Sequence, residues 1–160
     1  MKFNTNNLDI NINQSFLDVL PKYSQTLKTP ERGGVIMGEL YPNKNLVVIT
    51  NIIESPSKLK RNNRYEMDVK YIQKEINKIW KKSKGTVTYL GDWHTHPEIN
   101  PKPSLIDYYT FSKNYFNSSI DQNFLIYIIL GLKVKNDILI WIGVCNGIKT
   151  KRKFGMSPIN

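Results

Sequence analysis

Short stretches of alternating apolar and polar residues occur in the first third of the chain, in the pattern of strands that bury one face. Residues 8–12 alternate in this way, and residues 35–41 and 46–53 are also strand-like. The segment between the last two, residues 42–45, reads Pro-Asn-Lys-Asn and is typical of a turn. The pattern therefore predicts a β-hairpin formed by residues 35–41 and 46–53.

Longer apolar runs dominate the second half of the chain. Residues 86–95 predict a strand, since β-branched and aromatic residues are frequent there. Residues 124–134 and 138–145 predict a second hairpin, joined across residues 135–137. The apolar runs of this hairpin are too short to cross a bilayer as helices, so they indicate buried strands.

Three further segments have the spacing of helices. Residues 15–27 carry apolar residues at helical intervals, with a break near Pro21. Asp68 predicts the N-cap of a second helix that runs to about Lys82, and residues 105–115 predict a third. The predicted buried stripe of the second helix consists of Val69, Ile72, Ile76, Ile79 and Trp80.

Strands and helices alternate along 160 residues, a length that fits one domain with a substantial core. No repeat or linker interrupts the chain, so the prediction is a single α/β domain over residues 1–160, with its core at about residues 8–146. Cys145 is the single cysteine and lies in an apolar run, which predicts a buried side chain and suits a reducing cytoplasm. Residues 1–14 are polar, unlike a signal peptide.

A formal charge of +10 and a pI near 9.6 are compatible with nucleic-acid binding, because basic surfaces attract phosphate. The densest basic clusters are residues 81–84 and 149–153, and no nucleic-acid motif accompanies them. Lys, Asn and Ile are abundant together, as in a compositionally biased genome. We therefore expect a solvated surface, or one that attracts an acidic protein, and no specific nucleic-acid binding and no membrane binding.

His94 and His96 are the two histidines of the chain and lie on either side of Thr95. If residues 88–96 form a strand, both imidazoles project to the same face and can share a metal. Catalytic zinc usually has three protein ligands, and Asp107 is the nearest carboxylate at a structural boundary. The proline-rich residues 97–103 can bring Asp107 back to the histidines. The sequence thus predicts a zinc site, at which bound water has a pKa of about 7.

Each of these residues also has a purely structural interpretation. A histidine pair on a strand is commonly ordinary surface or core chemistry. Ser104 and Asp107 fit a capping box, in which both side chains satisfy free backbone N–H groups at a helix start. The two roles of Asp107 are compatible, since a helix start holds the carboxylate rigidly and leaves an oxygen to face a metal.

In their order and spacing these residues resemble the JAMM motif of the JAB/MPN metalloenzymes, an upstream Glu followed by His-x-His-Pro and Ser-x-x-Asp. Ten residues separate His96 from Asp107, which is the family spacing. The upstream segment from Glu31, Glu-Arg-Gly-Gly, is similar to the Glu-x-Gly-Gly segment of the family. The resemblance is strongest over residues 31–38 and 85–107.

A closer resemblance is carried by residues 89–98, Tyr-Leu-Gly-Asp-Trp-His-Thr-His-Pro-Glu, with Pro103-Ser104 after them. This sequence looks like that of the bacterial deconjugating peptidases of CBASS anti-phage operons. The resemblance implies an MPN fold, a single domain with a central mixed β-sheet flanked by helices.

The same resemblance implies roles for the site residues. His94, His96 and Asp107 are expected to bind zinc. Glu31 is expected to act as general base on the zinc water and to protonate the leaving amine, and Ser104 to hydrogen-bond the oxyanion. This division of labour is physically reasonable, because a carboxylate off the metal can carry a proton while other groups stabilise the charge of the transition state.

The implied reaction is hydrolysis of a peptide or isopeptide bond after the C-terminus of a ubiquitin-like or similarly tailed protein. In the CBASS members the tail belongs to the CD-NTase, the nucleotidyltransferase of the operon. We expect the substrate tail to bind in extended form beside the ligand strand, by strand addition, because this mode needs no deep pocket. The sequence does not define the tail, the partner or the oligomeric state.

Other assignments within the motif remain open. From sequence alone Glu31 is also compatible with a solvated turn residue, and only the resemblance favours catalysis. Glu98 follows the histidines closely and is a rival base, although its proline-flanked loop favours exposure. Residues 55–68, with Arg61, Arg64 and Tyr65, resemble the substrate-facing insertion of the family.

Two alternative functions also fit the sequence: a general bacterial JAB-domain peptidase, and a non-catalytic MPN scaffold that binds proteins. Two other classes of zinc hydrolase are excluded, the zinc deaminases and the thermolysin type. Zinc deaminases need a Pro-Cys-x-x-Cys pair, which one cysteine cannot supply. The His-Glu-x-x-His motif of thermolysin-type proteases is also absent. The His-Asn-His-Pro-Ser-Gly signature of RadC-like proteins does not match Pro97-Glu98 after the histidines.

Overall fold

An eight-stranded sheet runs through the computed structural model, which describes residues 1–4, 8–57, 65–134 and 137–146 and the backbone of residues 150–152. Its strands are β1 (Lys2–Asn4), β2 (Asp9–Ile12), β3 (Gly33–Tyr41), β4 (Leu46–Glu54), β5 (Val87–Thr95), β6 (Leu125–Val134), β7 (Asp137–Cys145) and β8 (Thr150–Arg152). The helices are α1 (Gln14–Val19), α2 (Val69–Lys82) and α3 (Leu105–Asn117).

The sheet is mixed, with the strand order β1-β2-β4-β3-β5-β6-β7-β8. The pairs β2–β4 and β5–β6 are parallel, and the other neighbours are antiparallel. Strand β5 therefore lies in the interior of the sheet, between β3 and β6. The residue that follows β5 in the chain is His96, so the sheet places the predicted ligand segment at the centre of the molecule.

Strand β6 is buried on both faces, which explains its nearly continuous apolar sequence. Residues 126, 128 and 130 pack in one core cluster, together with Phe16 and Leu17 of α1. Residues 125, 127 and 129 pack in a second cluster, together with Phe111 of α3. The sheet thus separates an α1 face from an α3 face.

The first predicted helix is shorter than residues 15–27. Helix α1 ends at Val19, and a 3-10 helix follows over Leu20–Tyr23 with Pro21 in its first turn. Proline lacks the N–H that an α-helix needs at this point, so the break predicted near Pro21 is confirmed. The continuation of the helix to residue 27 is wrong.

Helix α2 begins as predicted, because the Asp68 carboxylate accepts a hydrogen bond from the N–H of Tyr71 at 3.1 Å. Its predicted buried stripe is wrong at both ends. Ile72 is buried, but Val69 and Trp80 are 64% and 51% exposed. Helical spacing identifies residues that share a face, but it does not define where the neighbouring sheet ends.

Both predicted hairpins are confirmed as the pairs β3–β4 and β6–β7. In the second turn, Lys135 and Asn136 lie outside the described residues. Cys145 is fully buried, as expected. Strand β8 was not predicted, because the sequence after Asn146 is polar and punctuated by glycine and proline. None of the helices in the described ranges has the length and apolar character needed to span a membrane.

Gly91 lies at a β-bulge within β5. Neighbouring residues of β3 pair with Gly91 and Tyr89, so that Leu90 is an extra residue on β5. Gly91 has a φ of +149°, and a Cβ atom there would lie 1.8 Å from the carbonyl oxygen of Ile126. A side chain would be strained and would collide with β6, so this position requires glycine.

The bulge determines which face of the sheet the end of β5 presents. Leu90 and Trp93 both pack in the cluster on the α1 face, although they are three residues apart. Tyr89 packs on the α3 face, and its hydroxyl reaches Asp92 on the same side. His94 follows Asp92 by two residues and therefore also faces α3.

Candidate active site

His94, His96 and Asp107 come together in the structure. Their ligand atoms all lie within 4.8 Å of one another, and within the described ranges this is the group of His, Cys, Asp and Glu residues that could hold a metal ion. The two Nε2 atoms are 3.0 Å apart. The Oδ1 and Oδ2 atoms of Asp107 lie 3.3 Å from Nε2 of His94 and of His96, respectively.

These separations fit a zinc ion. Ligand atoms placed about 2.0–2.2 Å from a tetrahedral zinc are themselves roughly 3.3 Å apart. Two imidazole nitrogens and one carboxylate oxygen are also a donor set of catalytic zinc, and a fourth position then remains for water. The three side chains are only 12–16% exposed, so the cluster is shielded from bulk solvent on most sides.

Asp107 is held by the start of α3. Its Oδ2 accepts a hydrogen bond from the Ser104 N–H at 2.6 Å, and the Asp107 N–H donates to Oγ of Ser104 at 3.2 Å. The predicted capping box is therefore present. Because Ser104 Oγ is the acceptor in this cap, the cap does not consume its hydroxyl proton.

The predicted strand over residues 86–95 ends at Thr95, as β5 does, and His96 lies just beyond that end rather than within the strand. Its position is nevertheless fixed by the sheet, because its N–H donates to the carbonyl of Leu130 on β6 at 2.9 Å. The chain then passes closely over β6: a Cβ atom on Gly131 would lie 2.7 Å from the carbonyl oxygen of Ile99. Glycine at residue 131 is thus required by the loop that joins the histidines to α3.

Glu31 lies near the cluster, two residues before β3, the strand that neighbours β5. Gly33 of β3 pairs with His94, and the Thr95 N–H donates to the carbonyl of Arg32 at 2.8 Å, which continues the pairing towards His96. Burial raises the pKa of Glu31, while the charge of His96 lowers it and that of Asp107 raises it. Glu31 is half-buried and electrostatically coupled to the cluster, unlike a solvated turn residue.

Glu98 is exposed, and its main chain accepts a hydrogen bond from the Leu132 N–H at 2.7 Å. Its charge helps to raise the pKa of His96. The greater burial of Glu31 favours it over Glu98 as a base at this site, since a water-excluded carboxylate is the better proton acceptor near neutral pH.

The electrostatics of the site favour the metal-binding protonation state of His94 and Asp107 and oppose it at His96. Burial lowers the pKa of His94. Burial also raises the pKa of Asp107, but hydrogen bonds from His94 and His96 outweigh it and bring that pKa well below its ordinary value. For His96, burial lowers the pKa, yet the hydrogen bond and charge of Asp107 raise it overall. A neutral His94 and an ionised Asp107 are the forms that act as ligands.

Several residues beside the site were missed by sequence reasoning. Arg32 is fixed by two hydrogen bonds to the Glu54 carboxylate, at 2.6 and 2.8 Å, and by one to the carbonyl of Lys22 at 2.8 Å. Gln25 and Thr95 are buried polar residues on the α1 side. Asp92, a carboxylate in the middle of the predicted strand, was the one signal that the sequence offered.

Part of the predicted substrate-facing insertion is described. Tyr65 packs against Gly33, the residue of β3 that pairs with His94. Ser57 and Met67 form an isolated antiparallel bridge, which brings the two ends of the insertion together. Arg61 and Arg64 lie outside the described residues.

One expectation about substrate binding is wrong as stated. At the ligand end of β5, residues 91–94 pair with β3 on one edge and with β6 on the other. Both edges of this strand are occupied, so a substrate tail cannot add beside it. Strand β4 is different: β2 pairs only with Leu46–Ile49, and the strands that the structure describes leave the same edge of residues 50–54 unpaired.

The fold and the arrangement of these residues define a class of protein. Residues 14–143 match the family of prokaryotic homologues of the JAB domain, and the chain belongs to this family. The predicted JAB/MPN fold, a mixed sheet flanked by helices, is thereby confirmed.

Curated relatives carry more specific names. The chain is 37% identical over 139 residues to a CD-NTase/cGAS isopeptidase of Escherichia coli (strain TW11681), covering 84% of this chain and 81% of the relative. It is 33% identical to a protein of the same name from Vibrio cholerae, covering 63% of this chain and 62% of the relative. A probable metalloprotease of Sinorhizobium fredii is 33% identical over 60% of this chain and 59% of its own length.

A solved structure has the same fold. The solution structure of a Desulfitobacterium hafniense protein superposes with a TM-score of 0.62 and covers 84% of this chain and 83% of that one. Its sequence identity is 16%, so the likeness concerns the fold alone. Together the relatives support a JAB-type peptidase with a protein substrate.

Proposed function

We propose that this protein is a zinc-dependent isopeptidase or peptidase that uses His94, His96 and Asp107 as metal ligands, with Glu31 and Ser104 as catalytic residues. The observation that carries the proposal is the convergence of the three ligand side chains, with atoms within 4.8 Å of one another, beside a half-buried glutamate. A zinc ion held there supplies Lewis-acid chemistry and a water of lowered pKa.

Residues of the chain then carry out the proton transfers and stabilise the transition state. Glu31 accepts a proton from the attacking water as the water oxygen bonds to the carbonyl carbon. When the carbon–nitrogen bond breaks, Glu31 returns that proton to the leaving amine. The Ser104 hydroxyl donates a hydrogen bond to the carbonyl oxygen, on which negative charge develops in the transition state. Asp107 is held by the cap of α3 and does not change its protonation during the reaction.

The substrate that best fits is a CD-NTase joined through its C-terminal tail to another protein. Relatives named CD-NTase/cGAS isopeptidase support this choice. A tail in extended conformation suits the site, because extended segments expose their peptide bonds to an enzyme without a deep pocket. The unpaired edge of residues 50–54 in β4 is the strand edge on which such a tail can add.

The proposal is tested with a CD-NTase whose C-terminal tail is fused to a reporter protein. The wild-type chain should cleave the fusion at the junction and carry about one zinc per chain. Glu31→Gln should keep its zinc and lower kcat by about 10²–10⁴-fold, because it removes the proton carrier. His96→Ala should lose both zinc and activity.

The controls separate the competing functions. Zinc in the wild type without cleavage of any tailed fusion contradicts the proposal and favours a scaffold that binds proteins. Equal cleavage of fusions with unrelated tails favours a general JAB-domain peptidase. Full activity of Glu31→Gln contradicts the assignment of the base.

A further inference from the structure

We infer that Thr95 and Gln25 are positioning residues that hold Glu31 in place through the main chain of Arg32. The inference rests on the proposed function, since it concerns the carboxylate assigned there as the base.

Thr95 separates the two histidines, but its side chain points away from them. Residues alternate between the faces of a strand, so Thr95 turns towards the α1 face while His94 faces α3. Its hydroxyl donates to Oε1 of Gln25 at 2.7 Å and accepts from the Arg32 N–H at 3.0 Å. The Thr95 N–H donates to the Arg32 carbonyl at 2.8 Å. Thr95 therefore binds both main-chain polar groups of Arg32, its N–H and its carbonyl oxygen.

These hydrogen bonds from Thr95 to Arg32 form a clamp, and Gln25 extends it to the loop that precedes Glu31. Its amide Nε2 donates to the carbonyl of Thr29 at 2.9 Å, while its Oε1 accepts from Thr95. Residues 24–32 contain no helix or strand, so the loop relies on contacts of this kind for its conformation. Gln25 thus fixes the loop at a point two residues before Glu31, and Thr95 fixes it one residue after.

Burial makes the clamp stiff. Thr95 and Gln25 are 0% and 2% exposed, and buried polar groups must keep their hydrogen bonds because water cannot replace the partners. The side chain of Arg32 is held separately by Glu54 and Lys22. Small displacements of a reacting group of about 1 Å reduce rates by on the order of 10²-fold, so a stiff support for Glu31 has kinetic consequences.

The test compares two substitutions at residue 95 on the same tailed fusion. Thr95→Val keeps the shape of the side chain and removes the hydroxyl, whereas Thr95→Ser keeps the hydroxyl. We expect Thr95→Val to lower kcat by about 10–100-fold with KM and zinc affinity unchanged, because the metal ligands are not touched. Thr95→Ser should restore kcat to within roughly 3-fold of the wild type.

Gln25→Met provides a second route to the same result, with a side chain of similar length that lacks the amide. Ser24→Ala is its matched control, since the Ser24 hydroxyl donates to the carbonyl of Pro21 at 3.0 Å and not to the Glu31 loop. Gln25→Met should lower kcat and Ser24→Ala should not. If Thr95→Val fails to fold, the pair at residues 24 and 25 decides the question.

A double substitution identifies Glu31 as the residue through which the clamp acts. In a Glu31→Gln background, Thr95→Val should cause no further loss of kcat, because the carboxylate that it positions is gone. An additional loss equal to that in the wild-type background overturns the inference. So does a loss of zinc affinity in Thr95→Val, which would place the effect at the metal ligands.

The failure of the inference and that of the proposed function are distinguishable. Full activity of Glu31→Gln would contradict the assignment of Glu31 as the base, and with it the proposed function. An inactive Glu31→Gln together with fully active Thr95→Val and Gln25→Met leaves the proposed function intact and overturns only the positioning role.

Discussion

Asp92 is a buried carboxylate in β5, the strand that carries His94. Its Oδ1 accepts from the Tyr89 hydroxyl at 2.8 Å, and its Oδ2 accepts from Nδ2 of Asn114 at 2.7 Å. Burial raises the pKa of Asp92 to about 6, although both hydrogen bonds lower it. Asn114 lies seven residues after Asp107 on α3, which is about two turns along the same side of the helix. The network thus joins β5 to α3, in addition to the contacts between His94 and Asp107 at the candidate metal site.

Removing this carboxylate should destabilise the protein. Asp92→Ala leaves the Tyr89 hydroxyl and the Asn114 amide buried without an acceptor, and we expect the free energy of unfolding to fall by about 2–4 kcal/mol. Asp92→Asn retains an acceptor oxygen and should cost less. Urea denaturation measures both variants. The exposed Asp121→Ala is the control and should stay within about 0.5 kcal/mol of the wild type. A loss for Asp92→Ala no larger than that of the control would contradict the network.

At the scale of elements, the hydrophobic pattern predicted most strands and helices because these elements bury one face or both. It failed where tertiary neighbours decide the outcome. The exposure of Val69 and Trp80 depends on where the sheet lies beneath α2, and the bulge at Gly91 depends on the pairing of β5 with β3. Neither feature leaves a periodic signal in the sequence. Pro21, by contrast, acts locally, and the helix break that it predicts is present.

The starts of α2 and α3 offer a matched comparison of two caps. Ser104→Ala and Asp68→Ala each remove one side-chain acceptor from a helix N-terminus, and each should lower the free energy of unfolding by about 1 kcal/mol. Only Ser104→Ala should also weaken zinc binding and lower kcat, because the box that holds Asp107 is broken and the oxyanion donor is lost. Thermal unfolding measures the stability, chelator competition measures the zinc affinity, and cleavage assays measure kcat. Equal zinc affinity and kcat in the two variants would contradict the role of the α3 cap.

For the whole molecule, metal binding should contribute to stability, because the proposed ligands lie in and just after β5 and at the start of α3 and are gathered only in the folded chain. At a free zinc concentration of about 100 Kd the stabilisation is about 2.7 kcal/mol. Chelation should then lower the Tm of the wild type by roughly 5–10 °C for a chain of this size. His96→Ala should show no change with chelator in the same scanning calorimetry experiment. An identical Tm for the wild type with and without chelator would argue against a zinc site.

How much of the candidate site the sequence can predict depends on the separation of its parts along the chain. His94, His96 and Asp107 lie within 14 residues, and their spacing identifies them directly. The contacts that place Glu31 join residues 63 and 70 apart, Arg32 to Thr95 and Thr95 to Gln25. These contacts follow from the pairing of β3 with β5, which no local pattern specifies. Buried glutamine and threonine also have no distinctive sequence signature.

The extra residue in β5 has a consequence for how members of this fold can lose their chemistry. If the bulge at Gly91 were lost with every residue of β5 retained, regular alternation would resume and the strand beyond Tyr89 would rotate by half a period. His94 would then point into the apolar interior against α1, while Thr95 would face Asp107. Such a chain would still carry both histidines, the aspartate and the glutamate in its sequence. An inactive descendant can therefore keep the whole motif, and the bulge at Gly91 should be checked alongside the ligands when activity is assigned to its relatives.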